Sequence, residues 1–200
     1  MSRKLSSSVF LASAALCAAA AVLAAPAANA ATMNSTTDAT ATAKTNAITM
    51  AQWRTQKLKF DYNGFTALYT CDGLEGKVKQ ILLTFGARKD LTVRATGCNY
   101  GSSQPSNFAW VTVEFSALAP SPDPAPADAV KAGWEKVHLS PNRPTYMGAG
   151  ECELVEQMRD LLQKGFALRN TAYRTRCVPH QISVADYSVS TEVLKSAATN

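Results

Sequence analysis

Two stretches of similar layout decide the fold, namely Cys71-DGLEGKVKQILLTFGARKDLTVRATG-Cys98 and Cys152-ELVEQMRDLLQKGFALRNTAYRTR-Cys177. In each, a cysteine is followed by apolar residues at helical spacing that run up to a glycine, Gly86 or Gly165. A second cysteine follows each glycine after twelve positions. Because glycine readily adopts the left-handed conformation that ends many helices, each stretch predicts a helix, a glycine cap and a returning strand.

Each predicted helix carries one apolar stripe, which is typical of a helix that packs one face on a sheet. The stripe residues are Leu74, Val78, Ile81, Leu82 and Phe85 in the first helix, and Leu154, Met158, Leu161 and Leu162 in the second. The strand signal that follows each glycine is clear at 91–95 and weaker at 170–174.

The pairing of the cysteines follows from this layout. A helix of about 12 residues rises ~18 Å, and a strand of about six or seven residues returns ~20–23 Å. The cysteines at the two ends of each stretch therefore come close together. We predict disulfides Cys71–Cys98 and Cys152–Cys177 among the three connectivities that four cysteines allow.

Redox and metal chemistry are the alternatives for these cysteines. The sequence contains no C-x-x-C, the usual spacing of a redox-active pair. Cys177 and His180 form one Cys-x-x-His spacing, whereas a closed zinc site needs four ligands. We therefore predict structural disulfides, with no metal and no cofactor.

The N-terminus has the three parts of a secretory signal. Arg3 and Lys4 precede an apolar run over Val9–Ala25, and Ala28-Asn-Ala30 is a small-residue cleavage site. The run is short for the ~20 residues of a membrane span, and no other segment is long enough. We expect cleavage after Ala30, with Cys17 removed, and no integral membrane span in the mature chain.

Cleavage changes what the composition implies. The four remaining cysteines are an even number, which in an exported chain indicates disulfides in the periplasm or outside the cell. The loss of Arg3 and Lys4 lowers the formal net charge from +5 to +3. An excess this small, without basic residues interleaved with aromatics, argues against a nucleic-acid partner.

The remaining segments complete the predicted domain organisation. Residues 1–30 are the signal peptide, 31–50 a disordered leader, 51–190 one disulfide-bonded domain and 191–200 a frayed tail. Asn63-Gly64 between alternating runs predicts a two-residue hairpin turn, with Tyr62 opposite Phe65.

Three further strands are predicted, at 108–115, 134–139 and 182–187. The first of them places Val111 and Val113 on one face and Trp110 on the other. Four prolines within 119–126 rule out a strand or helix there. We interpret this segment as a long hairpin connection to the next strand rather than as a domain boundary.

This order predicts an α+β fold, a two-layer sandwich of a mainly antiparallel sheet with two amphipathic helices on one face. A ferredoxin-like β-α-β-β-α-β kernel, extended by a strand at each end, fits the same order.

No catalytic motif accompanies the two histidines. His138 alternates with apolar neighbours in a predicted strand, which indicates a solvent-facing sheet position, and His180 lies in a turn. The acidic residues of the second helix favour its dipole and need no other role; they are Glu151, Glu153, Glu156 and Asp160. We predict no catalytic residue.

Two pairs of residues are candidates for a binding surface. Phe108 and Trp110 share the strand face opposite the valines, and an aromatic pair on a bare sheet face is typical of a binding site. Arg174 and Arg176 share one face of another strand and could attract an anionic surface. A covered sheet face would instead make the aromatics core, and a solvated face would leave the arginines without a ligand.

These observations favour a small exported, non-catalytic binding module whose partner is an envelope protein or a cell-wall polymer. The alternatives are an inhibitor or accessory partner of another exported protein, and a small hydrolase without a recognisable motif. A deep pocket that joins His138 or His180 to a carboxylate and a hydroxyl would favour the hydrolase.

The predicted pairing is testable by peptide mapping under non-reducing conditions. We expect one peptide that joins Cys71 to Cys98 and another that joins Cys152 to Cys177, because the helix and strand between each pair bring their ends together. A peptide that joins Cys98 to Cys152 would contradict the pairing.

Overall fold

The computed structural model describes residues 48–98, 105–181 and 186–197. The predicted signal peptide at 1–30 and residues 31–47 of the predicted leader lie outside these residues. The predicted disorder is wrong at Thr49 and Met50, which belong to the first strand. In chain order the elements are β1 (Thr49–Asn63), α1 (Cys71–Thr84), β2 (Thr92–Thr96), β3 (Phe108–Pro120), β4 (Val130–Leu139), a 3-10 turn (Ala149–Glu151), α2 (Cys152–Gln157), α3 (Arg159–Gly165), β5 (Leu168–Arg176) and β6 (Asp186–Ser196). Along the described residues no helix is both long and apolar enough to cross a membrane.

The strands form one six-stranded antiparallel sheet in the order β2-β3-β1-β4-β6-β5, so the fold is α+β. β1 pairs along its length with β3, from Ala51 opposite Pro120 to Asn63 opposite Phe108. Its pairing with β4 spans only three residues of each strand. The sheet therefore consists of two three-stranded halves that meet at a short junction.

Each half is a β-α-β-β unit with the same strand order. The first is β1-α1-β2-β3 and the second is β4-α2/α3-β5-β6, and in each the first strand pairs with the third. Met50 lies opposite Lys131 at the centre of the junction. Trp53 and Trp134 follow these two residues at the same interval of three positions. The register therefore places a local twofold axis at the junction.

The two predicted disulfides are present at equivalent places in the halves. Cys71 and Cys98 join the start of α1 to the end of β2, with 5.8 Å between their Cα atoms. Cys152 and Cys177 join the start of α2 to the end of β5, with 5.5 Å between their Cα atoms. Each bridge closes a helix and its returning strand into one loop.

The main core lies between the helices and one face of the sheet. The predicted stripe of α1 is buried, and Thr70 caps the helix by accepting a hydrogen bond from the Gly73 N–H at 3.0 Å. Phe166 stacks on Phe115, with 5.1 Å between the ring centroids, and also contacts Phe85. This aromatic cluster joins the two halves on the helix side of the sheet.

A second, smaller core covers the opposite face of the sheet at the junction. Its buried residues are Ala51, Leu118, Ala132 and Leu194. Trp53 lies opposite Leu118 in the sheet, and Trp134 lies opposite Leu194. An arginine guanidinium lies over each indole, from Arg88 at 5.7 Å and from Arg169 at 4.4 Å. The twofold arrangement therefore extends to the side chains.

The predicted Asn63-Gly64 hairpin is wrong. β1 pairs with β3 instead, and neither turn residue adopts the positive φ that the predicted turn requires. Tyr62 lies opposite Ala109 rather than Phe65. β1 and β3 pair at thirteen positions, and the free energy of this pairing outweighs the local preference of Asn63-Gly64 for a turn.

The second helix differs from its prediction in two ways. It is interrupted at Met158, which separates α2 from α3. Gly165 is not a left-handed cap, since the chain leaves the helix through Phe166 in an extended conformation. A Cβ atom at Gly165 would lie 2.6 Å from Cζ of Phe115, so this glycine allows a close approach to β3. Gly86, with φ of +90°, has the predicted conformation.

The connection between β3 and β4 is not a hairpin, because β1 lies between these strands in the sheet. A ferredoxin-like fold has a helix after its third strand, whereas this chain has the proline segment there. The ferredoxin-like topology is therefore not confirmed.

The predicted tail is wrong over 191–196, because β6 runs to Ser196 and buries Val193 and Leu194. Of the predicted last strand, 182–185 lie outside the described residues.

Alanine should have opposite effects on the stability of the fold at Gly165 and at Gly76. Gly165→Ala should destabilise the fold by about 1–3 kcal/mol, because the added Cβ overlaps Phe115. Gly76→Ala should stabilise it by about 0.5–1 kcal/mol, because Gly76 lies exposed within α1 and nothing stands within 4 Å of the added atom. Equilibrium denaturation measures both, and a gain of stability in Gly165→Ala would contradict the packing argument.

Candidate functional site

Phe108 and Trp110 lie on the sheet face away from the helices, as predicted. Val111 and Val113 on the opposite face of β3 are buried, whereas Trp110 is 54% exposed. The two aromatic rings meet edge to face, with 4.8 Å between their centroids. Gly97, with φ of +83°, lies against the indole, and a Cβ there would stand 2.5 Å from it. The indole is therefore held on two sides and exposed on the remainder.

Polar side chains surround this indole on the same sheet face. Asp61 of β1 and Thr96 of β2 lie directly opposite Trp110 in the two neighbouring strands. Lys59 and Arg94 occupy the next row, on either side of Thr112. Residues opposite one another in adjacent strands have Cβ atoms about 4.5–5.5 Å apart. A carboxylate, hydroxyl groups and cations therefore surround the exposed indole, within reach of one ligand.

Arg174 and Arg176 do not join this surface. They lie on β5, at the sheet edge opposite to β2, with β1, β4 and β6 between them and β3. Arg174 forms an exposed salt bridge with Asp186 at 3.3 Å, and Arg176 lies opposite the same residue in the strand pair. An exposed pair of this kind contributes little stability. The two predicted parts of the binding surface therefore belong to different halves.

His138 lies on an exposed face of β4, as predicted, beside two hydroxyl groups. Its Nδ1 is 2.8 Å from Ser190 Oγ and its Nε2 is 3.1 Å from Ser140 Oγ. The surrounding groove has a volume of about 450 Å³ and also contains Glu192. The Glu192 carboxylate accepts a hydrogen bond from Arg169 Nε at 2.6 Å. A histidine–hydroxyl pair is thus present, but both of its ring nitrogens face hydroxyls rather than a carboxylate.

The acidic residues at the start of the second helix have a role that the sequence did not indicate. Glu153 is buried, with 5% of its surface exposed. Its carboxylate accepts hydrogen bonds from the N–H groups of Phe65 and Thr66, at 2.7 and 2.9 Å, and from the Thr66 hydroxyl at 3.2 Å. The helix dipole explains an acidic residue at this position, but it does not predict that the Glu153 carboxylate holds the β1–α1 connection.

Glu151 makes a second cross-link between the halves. It forms a largely buried salt bridge with Lys77 of α1 at 2.8 Å and accepts a hydrogen bond from the Gly148 N–H. Lys77 also donates to the Tyr146 carbonyl. These contacts tie the first helix to the start of the second one.

Buried tyrosines surround these carboxylates. Burial raises the pKa of the Tyr62, Tyr69 and Tyr187 hydroxyls well above the ordinary value, and the nearby Glu151 carboxylate raises it further. Burial also raises the pKa of Tyr173, whose hydroxyl donates to the Val155 carbonyl at 2.8 Å. The folded protein therefore keeps these four phenols protonated.

Within the described ranges no three His, Cys, Asp or Glu side chains converge on a point where a metal could bind. Comparison with protein-family models, curated proteins and solved structures finds no match. The geometry of the chain itself therefore carries the functional argument.

The tyrosines predict a cooperative loss of structure at alkaline pH. Their raised pKa values contribute stability that is present below about pH 10, where unfolded tyrosine is protonated, and that is lost as the pH rises above it. Burial raises the pKa of Tyr146 as well, and Tyr100 lies outside the described residues. In a Tyr100→Phe variant, near-ultraviolet phenolate absorbance should therefore rise in one step, together with the loss of circular dichroism. In denaturant the same phenols should titrate near pH 10. Gradual titration near pH 10 with unchanged circular dichroism would contradict their burial.

Proposed function

We propose that this chain is an exported, non-catalytic binding module that acts in the periplasm or outside the cell. The two disulfides indicate an oxidising compartment of the extracellular type. The secretory signal predicted at 1–30, with cleavage after Ala30, supports the same location.

The ligand of this module binds the open face of β2, β3 and β1 at Trp110. One observation carries this assignment: the indole is more than half exposed although Gly97 and Phe108 hold it in place. An aromatic ring that is already fixed loses little conformational entropy on binding. An exposed apolar patch that is rimmed by polar residues is typical of an interaction site.

The chemistry of this face fits a sugar unit of a cell-wall polymer. The C–H face of a sugar ring stacks on an indole, and its hydroxyl groups hydrogen bond to carboxylate, hydroxyl and ammonium groups beside it. Asp61, Thr96 and Lys59 supply those groups around Trp110. The mixture of both charges does not favour a strongly anionic ligand such as nucleic acid.

A role as inhibitor or accessory partner of another exported protein is the second candidate. It is favoured by a different feature, the exposed Phe65 and Leu68 on the connection that Glu153 holds. The small-hydrolase alternative has weaker support, because the Glu192 carboxylate pairs with Arg169 and the two His138 ring nitrogens face the Ser190 and Ser140 hydroxyls.

Replacement of Trp110 tests the binding face. Trp110→Ala should abolish retention of the mature protein on insoluble cell-wall polymer and on a glycan array. Its free energy of unfolding should change by less than about 1 kcal/mol, since the side chain is exposed.

Trp134→Ala is the matched control, because Trp134 lies on the same sheet face but packs in the second core. It should lower stability by about 2–4 kcal/mol and leave the retention unchanged at temperatures where it is folded. Full retention by Trp110→Ala, or severe unfolding of that variant, would refute the assignment.

A further inference from the structure

The connection between β1 and α1, residues 64–70, presents two apolar side chains to solvent. Phe65 is 45% exposed and Leu68 is 54% exposed. The Phe65 ring meets the His180 ring edge to face, with 5.8 Å between their centroids. Together they border a groove of about 440 Å³ that also contains Pro105 and Asn107. Exposure of two large apolar side chains three positions apart gives this connection an apolar patch of the kind that marks interaction sites.

The backbone of this connection is held from several sides. Glu153 binds two of its N–H groups, the Gly64 N–H donates to the Asn107 carbonyl at 2.7 Å, and Tyr62 donates to the Ala67 carbonyl. Tyr69 exchanges two backbone hydrogen bonds with Ser106. The exposed side chains therefore stand on an ordered backbone rather than on a loose loop.

The second half of the chain contains the equivalent connection, residues 140–151 between β4 and α2. There the apolar side chain of Met147 is 1% exposed. The Tyr146 hydroxyl donates to the Gln80 carbonyl at 3.1 Å and lies 2.6 Å from Thr84 Oγ1, so this side chain packs on α1. The same β-α-β-β unit can therefore bury its connection. Exposure of Phe65 and Leu68 is a property of the first connection and not a consequence of the fold.

We propose that Phe65 and Leu68 are the anchors of a docking site for another exported protein, which receives them in an uncharged apolar cleft. The charge pattern identifies this occupant: among the residues that the structure describes, no Lys, Arg, Asp or Glu lines the groove, although the chain has 35 charged residues. A lipid surface or an anionic polymer would require cations there. Depletion of charge around aromatic and aliphatic anchors is typical of the centre of protein–protein interfaces.

The order of the backbone determines how this site works. Anchors that are held in their bound geometry before association lose little entropy on binding, so two side chains suffice for much of the affinity. This docking site is separate from the Trp110 face, because its anchors lie on the β1–α1 connection and not on the strands around Trp110. The two proposals can therefore fail independently.

Site-specific photo-cross-linking tests the docking site. The full chain, with its own N-terminus, is produced in its exporting host with benzoylphenylalanine in place of Phe65. A matched probe in place of Trp110 samples an equally exposed position on the other surface. We expect one discrete adduct with a second protein from position 65. That adduct should be at least tenfold weaker when Leu68→Asp is added. It should be unchanged when Lys89→Ala is added, because Lys89 is exposed and does not line the groove.

The partner identified from that adduct is then purified for calorimetry with the unlabelled chain. Phe65→Ala should weaken the dissociation constant roughly 10- to 30-fold, while its melting temperature stays within about 2 °C of the parent, since the side chain is exposed. An adduct of twice the chain mass, an adduct with lipid, no adduct, or no effect of Leu68→Asp or Phe65→Ala would each overturn the proposal.

Discussion

The three residue pairs between β1 and β4 are the constraint on which the rest of the structure depends. They join two β-α-β-β halves around Met50 and Lys131, and three ladder pairs alone are too few to hold two halves together. Packing on both faces of the sheet supplies the remainder. Phe115 and Phe166 stack on the helix side, and the small core with Leu118 and Leu194 covers the opposite side. The halves therefore form one body because side chains pack between them on both faces of the sheet.

The approximate twofold symmetry separates the structural features of the chain from the functional ones. Features shared by both halves maintain the fold: a disulfide from helix to strand, a tryptophan beneath an arginine, and the strand order. Among the described residues, the large apolar side chains that are exposed all belong to the first half; they are Ile48, Met50, Phe65, Leu68 and Trp110. The two halves can thus share the same core arrangement while only the first half presents apolar groups to ligands.

Several elements were predictable because their signals are local. The stripe of α1, the capping conformation of Gly86 and the opposite faces of Val111 and Trp110 follow from periodicity within one element. The disulfides followed because each closes a single helix and strand. The Asn63-Gly64 hairpin was wrong because pairing with β3 outweighs a two-residue turn signal. The role of Glu153 was missed because its partners lie far away in the chain.

The sequence by itself determined α1, the cysteine pairing and the face on which Trp110 lies, because each depends on residues close together in the chain. Only the tertiary structure decided which strands are neighbours, that position 165 has no room for a side chain, and that Phe65 and Leu68 are exposed. Those features depend on contacts between the halves, such as Phe115 with Gly165 and Glu153 with the Phe65 N–H. The free energy of such contacts depends on three-dimensional proximity, which no periodicity along the chain records.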